Sequence, residues 1–257
     1  HMIHKFKTLF WFASQPTFYR HGLELFLRKF RPNYDSLSHI AQATNWAAQH
    51  TVSVQKALEV IGLIQQGDEV PGINGELIEE ANLLAQHSKV KMGGAGDIHL
   101  IYAATLLSKA STAIETGVAY GWSRLSMLAG LSKDSASLLV SVDMPYPKMN
   151  NEDYVGIVIP KPLKKNWYLI RQPDRNGIIQ AIQKINRPID ICHYDSDKSY
   201  YGRSYAYPLL WAALKKGGVF ISDDIQDNLA FKNFVESKNL TFSITEYKGK
   251  YIGITRK

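Results

Sequence analysis

From Thr112 to the C-terminus, short apolar or β-branched runs alternate with stretches of helical periodicity, a texture that few folds accommodate. The runs are Thr112 to Thr116, Leu138 to Val142, Trp167 to Ile170, Ile189 to Tyr194 and Val219 to Ser222. A strand separated from the next by a helix must cross over to reach it, so such units build a mostly parallel sheet with right-handed crossovers and helices on its faces. The end of the chain is different. Thr241 to Tyr247 and Tyr251 to Thr255 are separated by Lys248, Gly249 and Lys250 alone, which makes a hairpin and an antiparallel pair. The expected fold class is α/β: a doubly wound, seven-stranded, mostly parallel sheet with a C-terminal antiparallel hairpin.

The first part of the chain has another texture. From Phe6 to about Leu84 apolar residues recur at helical spacing, as in Leu23, Phe26, Leu27 and Phe30, and Pro32, Pro71-Gly72 and Gly75 punctuate the helices. Lys89 to Gly96, with Gly93, Gly94 and Gly96, reads as a flexible junction, so residues 1–92 are expected to form a helical extension and 93–257 the α/β domain. With 257 residues, 45% of them hydrophobic, the chain can bury a sizeable core without disulfides. Its single cysteine, Cys192, lies in an apolar run, which excludes a disulfide framework and points to a reducing, cytoplasmic setting. His1-Met2 reads as a cloning scar, and Thr8 to Ala13 is too short an apolar stretch for a membrane span.

The net charge of +7 is diffuse. Its nearest clusters, Arg28, Lys29 and Arg31, and Lys161, Lys164 and Lys165, are not interleaved with aromatics, so no nucleic-acid partner is expected. The segment Phe6, Phe10, Trp11 and Phe12, with Lys5 and Lys7, fits a membrane surface, although packing on a neighbouring helix or on a second copy in a homo-oligomer is the commoner use of such a helix.

In open α/β sheets ligands sit beyond the carboxyl ends of the strands, so the residues that end each run are the informative ones. The first run ends Glu115-Thr116-Gly117-Val118-Ala119-Tyr120-Gly121-Trp122-Ser123 and enters a helix. Gly117 and Gly121 let the backbone turn tightly against a ligand, and amides at the helix start, with the Ser123 hydroxyl, suit a carboxylate. The Gly-x-x-x-Gly spacing is not the Gly-x-Gly-x-x-Gly of pyrophosphate binding. The second run ends at Asp143, placed to accept the ribose hydroxyls of an adenosine-containing cofactor or, on the plainer reading, to serve as a turn residue. The fourth run ends at Asp195, and the fifth at Asp223-Asp224. Three converging carboxylates repel, so a cation belongs among them: a hard divalent ion, Mg²⁺ before Ca²⁺ or Mn²⁺, or else a helix cap and a pairing with Lys198 or Arg203.

Glu115-x-Gly-x-x-x-Gly-x-Ser123, Asp195-x-Asp-Lys198-x-x-Tyr201 and Gly217-Gly218-x-x-x-x-Asp223-Asp224 together resemble the cation-dependent O-methyltransferases of the catechol and caffeoyl-CoA type, within the class I S-adenosylmethionine-dependent methyltransferases. The resemblance runs from about Met92 to the C-terminus and implies the Rossmann-like methyltransferase fold. It implies S-adenosylmethionine as methyl donor, held around Glu115, Gly117, Gly121 and Ser123, with Asp143 at the ribose. It also places a metal on Asp195, Asp223 and Asp224, gives Asp195 a place at the donor and in catalysis, and gives Lys198 the acceptor proton. The sequence departs from that pattern at Asp224, where Asn is usual, in the Met144 to Asp153 loop, and in the longer N-terminal helices. An Asp-Asp ending also occurs in metal-dependent sugar O-methyltransferases, so the acceptor is read as a hydroxylated small molecule or sugar.

Methyl transfer from a sulfonium is an in-line displacement that needs alignment of the acceptor and removal of its proton. On this reading a metal would lower the acceptor's pKa, and Lys198, its own pKa lowered by nearby positive charge, would take the proton. His193 is read as a satisfied core histidine, and Tyr200, Tyr201, Tyr205, Tyr207 and Trp211 as core aromatics. A nicotinamide-dependent oxidoreductase would share the first turn and Asp143 but leaves the acids unexplained. A non-catalytic binding protein of the same fold would keep them all. The N-terminal helices are expected to cover the acceptor site or to form a subunit interface.

Overall fold

The computed structural model describes residues 10–145 and 152–257; Lys5, Phe6, Lys7, the His1-Met2 start and residues 146–151 of the loop after the second strand lie outside the described residues. Strands form at every run that the alternation marks: β1 (Thr112–Thr116), β2 (Leu138–Val142), β3 (Trp167–Ile170), β4 (Ile189–Tyr194), β5 (Leu214–Ser222), β6 (Phe242–Tyr247) and β7 (Lys250–Arg256). All seven belong to one sheet in the order β3-β2-β1-β4-β5-β7-β6. The first five are parallel to one another, and β7 pairs antiparallel with both β5 and β6. β5 begins at Leu214, earlier than its apolar run. Ile189 of β4 reaches Leu214 across a register shift, so Lys215 and Lys216 extend the strand with their side chains in solvent.

Both faces of the central strands are buried, which is why their sequences run apolar instead of alternating. One face packs against α5 (Ile98–Leu107) and α6 (Trp122–Gly130), and the other against α7 (Asp174–Ile185), α8 (Tyr200–Ala213) and α9 (Ala230–Ser237). Gly130 sits where α5 and α6 touch: a Cβ there would lie 2.9 Å from Thr105 Cβ. The second core is aromatic, with Tyr194, Tyr207, Phe220, Phe231 and Phe234 buried in edge-to-face contacts.

The extension contributes α1 (Tyr19–Leu27), α2 (Leu37–Gln49), α3 (Val54–Val60) and α4 (Gly75–Ala85); Ser36, Ser53 and Asn74 accept backbone N–H bonds at the starts of the last three. Its buried Ala57, Leu58, Ile61, Ile64 and Ala81 share one apolar cluster with Val219 and Ile252 of the sheet. The Val52 N–H donates to the Ile244 carbonyl of β6 at 2.8 Å, and Arg256 of β7 donates to the Gly62 carbonyl at 2.6 Å. The Lys89–Gly96 junction, expected to be flexible, is held by Tyr120, whose hydroxyl donates to the Val90 carbonyl at 2.7 Å and accepts from the Met92 N–H at 3.2 Å. No helix among the described residues is long and apolar enough to cross a membrane.

Candidate functional site

β1 leaves the sheet through Gly117, with φ of +79°, and the turn enters α6 at Gly121, with φ of +94°. These glycines are dictated by contact as well as by torsion. A Cβ on Gly117 would lie 2.2 Å from the Asp195 carbonyl oxygen, and one on Gly121 would lie 3.0 Å from Gly156 Cα. Beneath the turn Glu115 is fully buried; Ser123 donates to it, Ser141 Oγ donates at 2.8 Å and Arg124 Nε at 3.3 Å. Burial alone would raise the Glu115 carboxyl, but His193, Arg124 and Ser123 hold it below the usual carboxylate range. The Arg124 guanidinium is roofed by the Trp167 ring 3.7 Å away. Glu115 and Ser123, both expected at the donor, are thus bonded to each other under the turn.

Above the turn lies a cavity of about 250 Å³ lined by Gly117, Asp143, Asp174 and Ser196 from the strand ends and by His21, Leu25 and Arg28 of α1. Asp143 accepts the Val118 N–H at 3.2 Å and pairs with Arg171. Burial raises its carboxyl, and Arg171 works in the opposite sense. Asp174, which the sequence reading passed over, accepts from Ser196 Oγ at 2.6 Å and Tyr194 Oη at 3.0 Å. Burial pushes Asp174 up to about 6. The third run leads through Arg171-Gln172-Pro173 to Asp174, so the rule applied to the other strand ends would have found it. The N-terminal extension closes this cavity, through Arg28 to Asp197 at 2.7 Å and Glu24 to Arg175 at 3.0 Å. Tyr205 also lines it and is not a core residue, whereas Tyr207 is.

A second cavity, of about 190 Å³, opens where Gly96 and Asp97 of the junction face Asp195, Asp223, Asp224 and Lys250. The strand ends therefore do bring the three predicted acids together. Arg203, 1% exposed, secures them from behind by donating to the carbonyls of Asp223 and Asp224, each at 3.0 Å. Each acid, however, already has a cation of the chain. Asp224 is held between Lys198 and Lys250 Nζ, the latter at 3.1 Å. Asp195 Oδ1 lies 3.4 Å from Lys198 Nζ. Asp223 Oδ1 lies 3.1 Å from His193 Nε2, off the hydrogen-bonding direction. No three Asp, Glu, His or Cys side chains among the described residues converge as metal ligands.

Three expectations meet particular surroundings here. Asp195, Asp223 and Asp224, expected to hold Mg²⁺, Ca²⁺ or Mn²⁺, stand together with Lys198 and Lys250 on Asp224 and Lys198 beside Asp195, the lysine pairing that the sequence also allowed. Lys198 is not tuned as a base: partial burial works against its charge, yet Asp195 and Asp224 raise it above the ordinary lysine value. His193 is buried, but acids face it from both sides instead of well-formed hydrogen bonds; burial opposes its charge, and Asp223 with Glu115 lifts it to about 10. Burial and the neighbouring Asp223 charge push Asp195 well above the usual carboxylate range.

Residues 114–225 match the family model described as a methyltransferase domain. No curated protein matches the chain in sequence. Among solved structures, the O-methyltransferase from Bacillus cereus in complex with SAH is 13% identical with a TM-score of 0.55, over 82% of this chain and 100% of that one. A methyltransferase from Geobacter sulfurreducens is 13% identical with a TM-score of 0.54, over 80% and 99%. The O-methyltransferase TomG from Streptomyces achromogenes, involved in tomaymycin synthesis and solved with SAM, is 12% identical with a TM-score of 0.52, over 82% and 98%. At these identities the likeness is one of fold. The family match covers the strand ends that build both cavities, and the shared architecture shows the fold to be the Rossmann-like one of class I methyltransferases.

Proposed function

We propose that the protein transfers a methyl group from S-adenosylmethionine to a hydroxyl of a small molecule or sugar. The observation that carries this is the contact of Gly117 with the Asp195 carbonyl: Gly117 lines one cavity, Asp195 lines the other, and the two meet at a single backbone contact. The first cavity fits an adenosine-containing donor, with Asp143 for the ribose hydroxyls, Asp174 for an amino group, and Gly117 in its lining, where a Cβ would collide with the Asp195 carbonyl. When bound, the sulfonium supplies an electrophilic methyl group. In the second cavity Asp195 Oδ1 is buried with Lys198 Nζ 3.4 Å away and no hydrogen bond formed, so it can receive the hydroxyl's proton as the C–S bond breaks and the O–C bond forms. Lys198 and Lys250 position Asp224 and balance the acid cluster.

The test is thermal unfolding with S-adenosylhomocysteine and with NAD. At about a hundredfold excess over Kd the former should add about 2.7 kcal/mol, a rise of roughly 5–10 °C in Tm for a chain this long. Asp143→Ala should abolish that rise. A rise with NAD alone would replace the proposal with an oxidoreductase. Chelation by EDTA is expected to leave both the midpoint and methyl transfer unchanged, because lysines already neutralise the acids.

Donor binding should depend on pH through Asp174. Burial pushes its carboxyl up to about 6, and the ionised form accepts a stronger, charge-assisted hydrogen bond from an amino group than the neutral acid does. Affinity for S-adenosylhomocysteine, measured calorimetrically, is expected to rise as the pH passes upward through about 6 and to level off above it. Asp174→Asn should remove that step. A step that survives in Asp174→Asn would assign it to another group, such as His21.

A further inference from the structure

The N-terminal segment presents an apolar stripe that is exposed among the described residues. Eight of the thirteen exposed large apolar side chains among the described residues lie between Phe10 and Leu37. Tyr19, Leu23, Phe26, Leu27 and Phe30 follow helical spacing along one side of α1 and its continuation, with Phe30 75% exposed and Leu23 58%. The opposite side, with His21, Leu25 and Arg28, faces the donor cavity.

The charge around the stripe bears on its partner. Arg20 and Lys29 flank it and are exposed, as is Arg31, which also pairs with Glu24. The two acids of this stretch are turned away: Glu24 is held by Arg28, Arg31 and Arg175, and Asp35 accepts the Tyr200 N–H and the Asn228 amide. The exposed surface from Phe10 to Leu37 therefore offers apolar rings and cations with no exposed carboxylate. A second copy is a poor match, since a two-fold contact through this stripe would bring the same cations together. An anionic bilayer accepts both features: rings enter the acyl boundary while Arg and Lys keep their charged ends at the headgroups.

We propose that the outer side of this segment docks on an anionic lipid surface, with the donor cavity on the protein side of the helix. Co-sedimentation of the full chain with vesicles of phosphatidylcholine alone, and with vesicles of equal parts phosphatidylcholine and phosphatidylglycerol, tests it. Each cation near such a surface strengthens binding about fivefold, so the anionic vesicles should bind at least tenfold more tightly. Arg20→Ala with Lys29→Ala should remove most of that difference. Phe26→Glu with Phe30→Glu should abolish pelleting while leaving the thermal midpoint unchanged, since both rings are already more than half exposed. Equal binding to neutral vesicles, or none to either, would overturn the proposal. So would a dimer in sedimentation without lipid that the Phe26→Glu, Phe30→Glu variant loses, which would give the face to a second copy.

Discussion

Gly117→Ala is expected to eliminate donor binding and lower stability together. The new methyl group would be built 2.2 Å from the Asp195 carbonyl oxygen, well inside van der Waals contact, and its neighbour is backbone that cannot rotate away. The torsion adds to the cost, because φ of +79° is one that an alanine adopts only under strain. Overpacking and torsional strain together should cost about 2–4 kcal/mol. Relief requires the β1 and β4 ends to part, which displaces Gly117 from one cavity and Asp195 from the other. Calorimetry with S-adenosylhomocysteine should show affinity reduced by about a hundredfold or more, equivalent to about 2.8 kcal/mol. Wild-type affinity in this variant would remove the contact from the account of the site.

Arg203→Met is the second large effect, and it acts through satisfied hydrogen bonds. The buried guanidinium donates to Tyr207 Oη at 2.9 Å, to Ser222 Oγ at 3.1 Å, and to the carbonyls of Lys198, Asp223 and Asp224. Methionine fills much of the volume and donates nothing, leaving several buried acceptors unpaired at a cost of about 3–5 kcal/mol. For a chain of this length that lowers Tm by about 10 °C. Because the lost bonds secure the segments bearing Lys198 and Asp224, methyl transfer should fall at temperatures where the variant is still folded. Arg203→Lys restores charge but not the fork of donors, and should rescue little.

The sheet was legible because burial on both faces leaves uninterrupted apolar runs, as in Ile189–Tyr194, and because three residues cannot cross between parallel strands. The turn after β1 was legible because Gly117 and Gly121 take left-handed torsions that favour glycine. Asp174 was harder to see: an acid following proline at a helix start reads as a first-turn residue, and only the fold brings Ser196 and Tyr194 to it. The fate of the three acids turned on Lys250, which reaches Asp224 only because β7 lies beside β5. Lys198 was placed correctly beside Asp195, but the sign of its environment depended on those same distant neighbours. Nothing local to α1 signals that it lies over residues more than a hundred positions later in the chain.

The bond from the Val52 N–H to the Ile244 carbonyl has a further consequence. β6 is the terminal strand of the sheet, and such a strand is a template for pairing with another chain unless something blunts it. Here the segment around Thr51 and Val52 does so, with α3 stacked on the same flank. A chain trimmed at the glycine junction would keep the strand ends of both cavities yet bare this edge and the apolar surface that Ala57 and Leu58 cover, exchanging a folded protein for an aggregation-prone one.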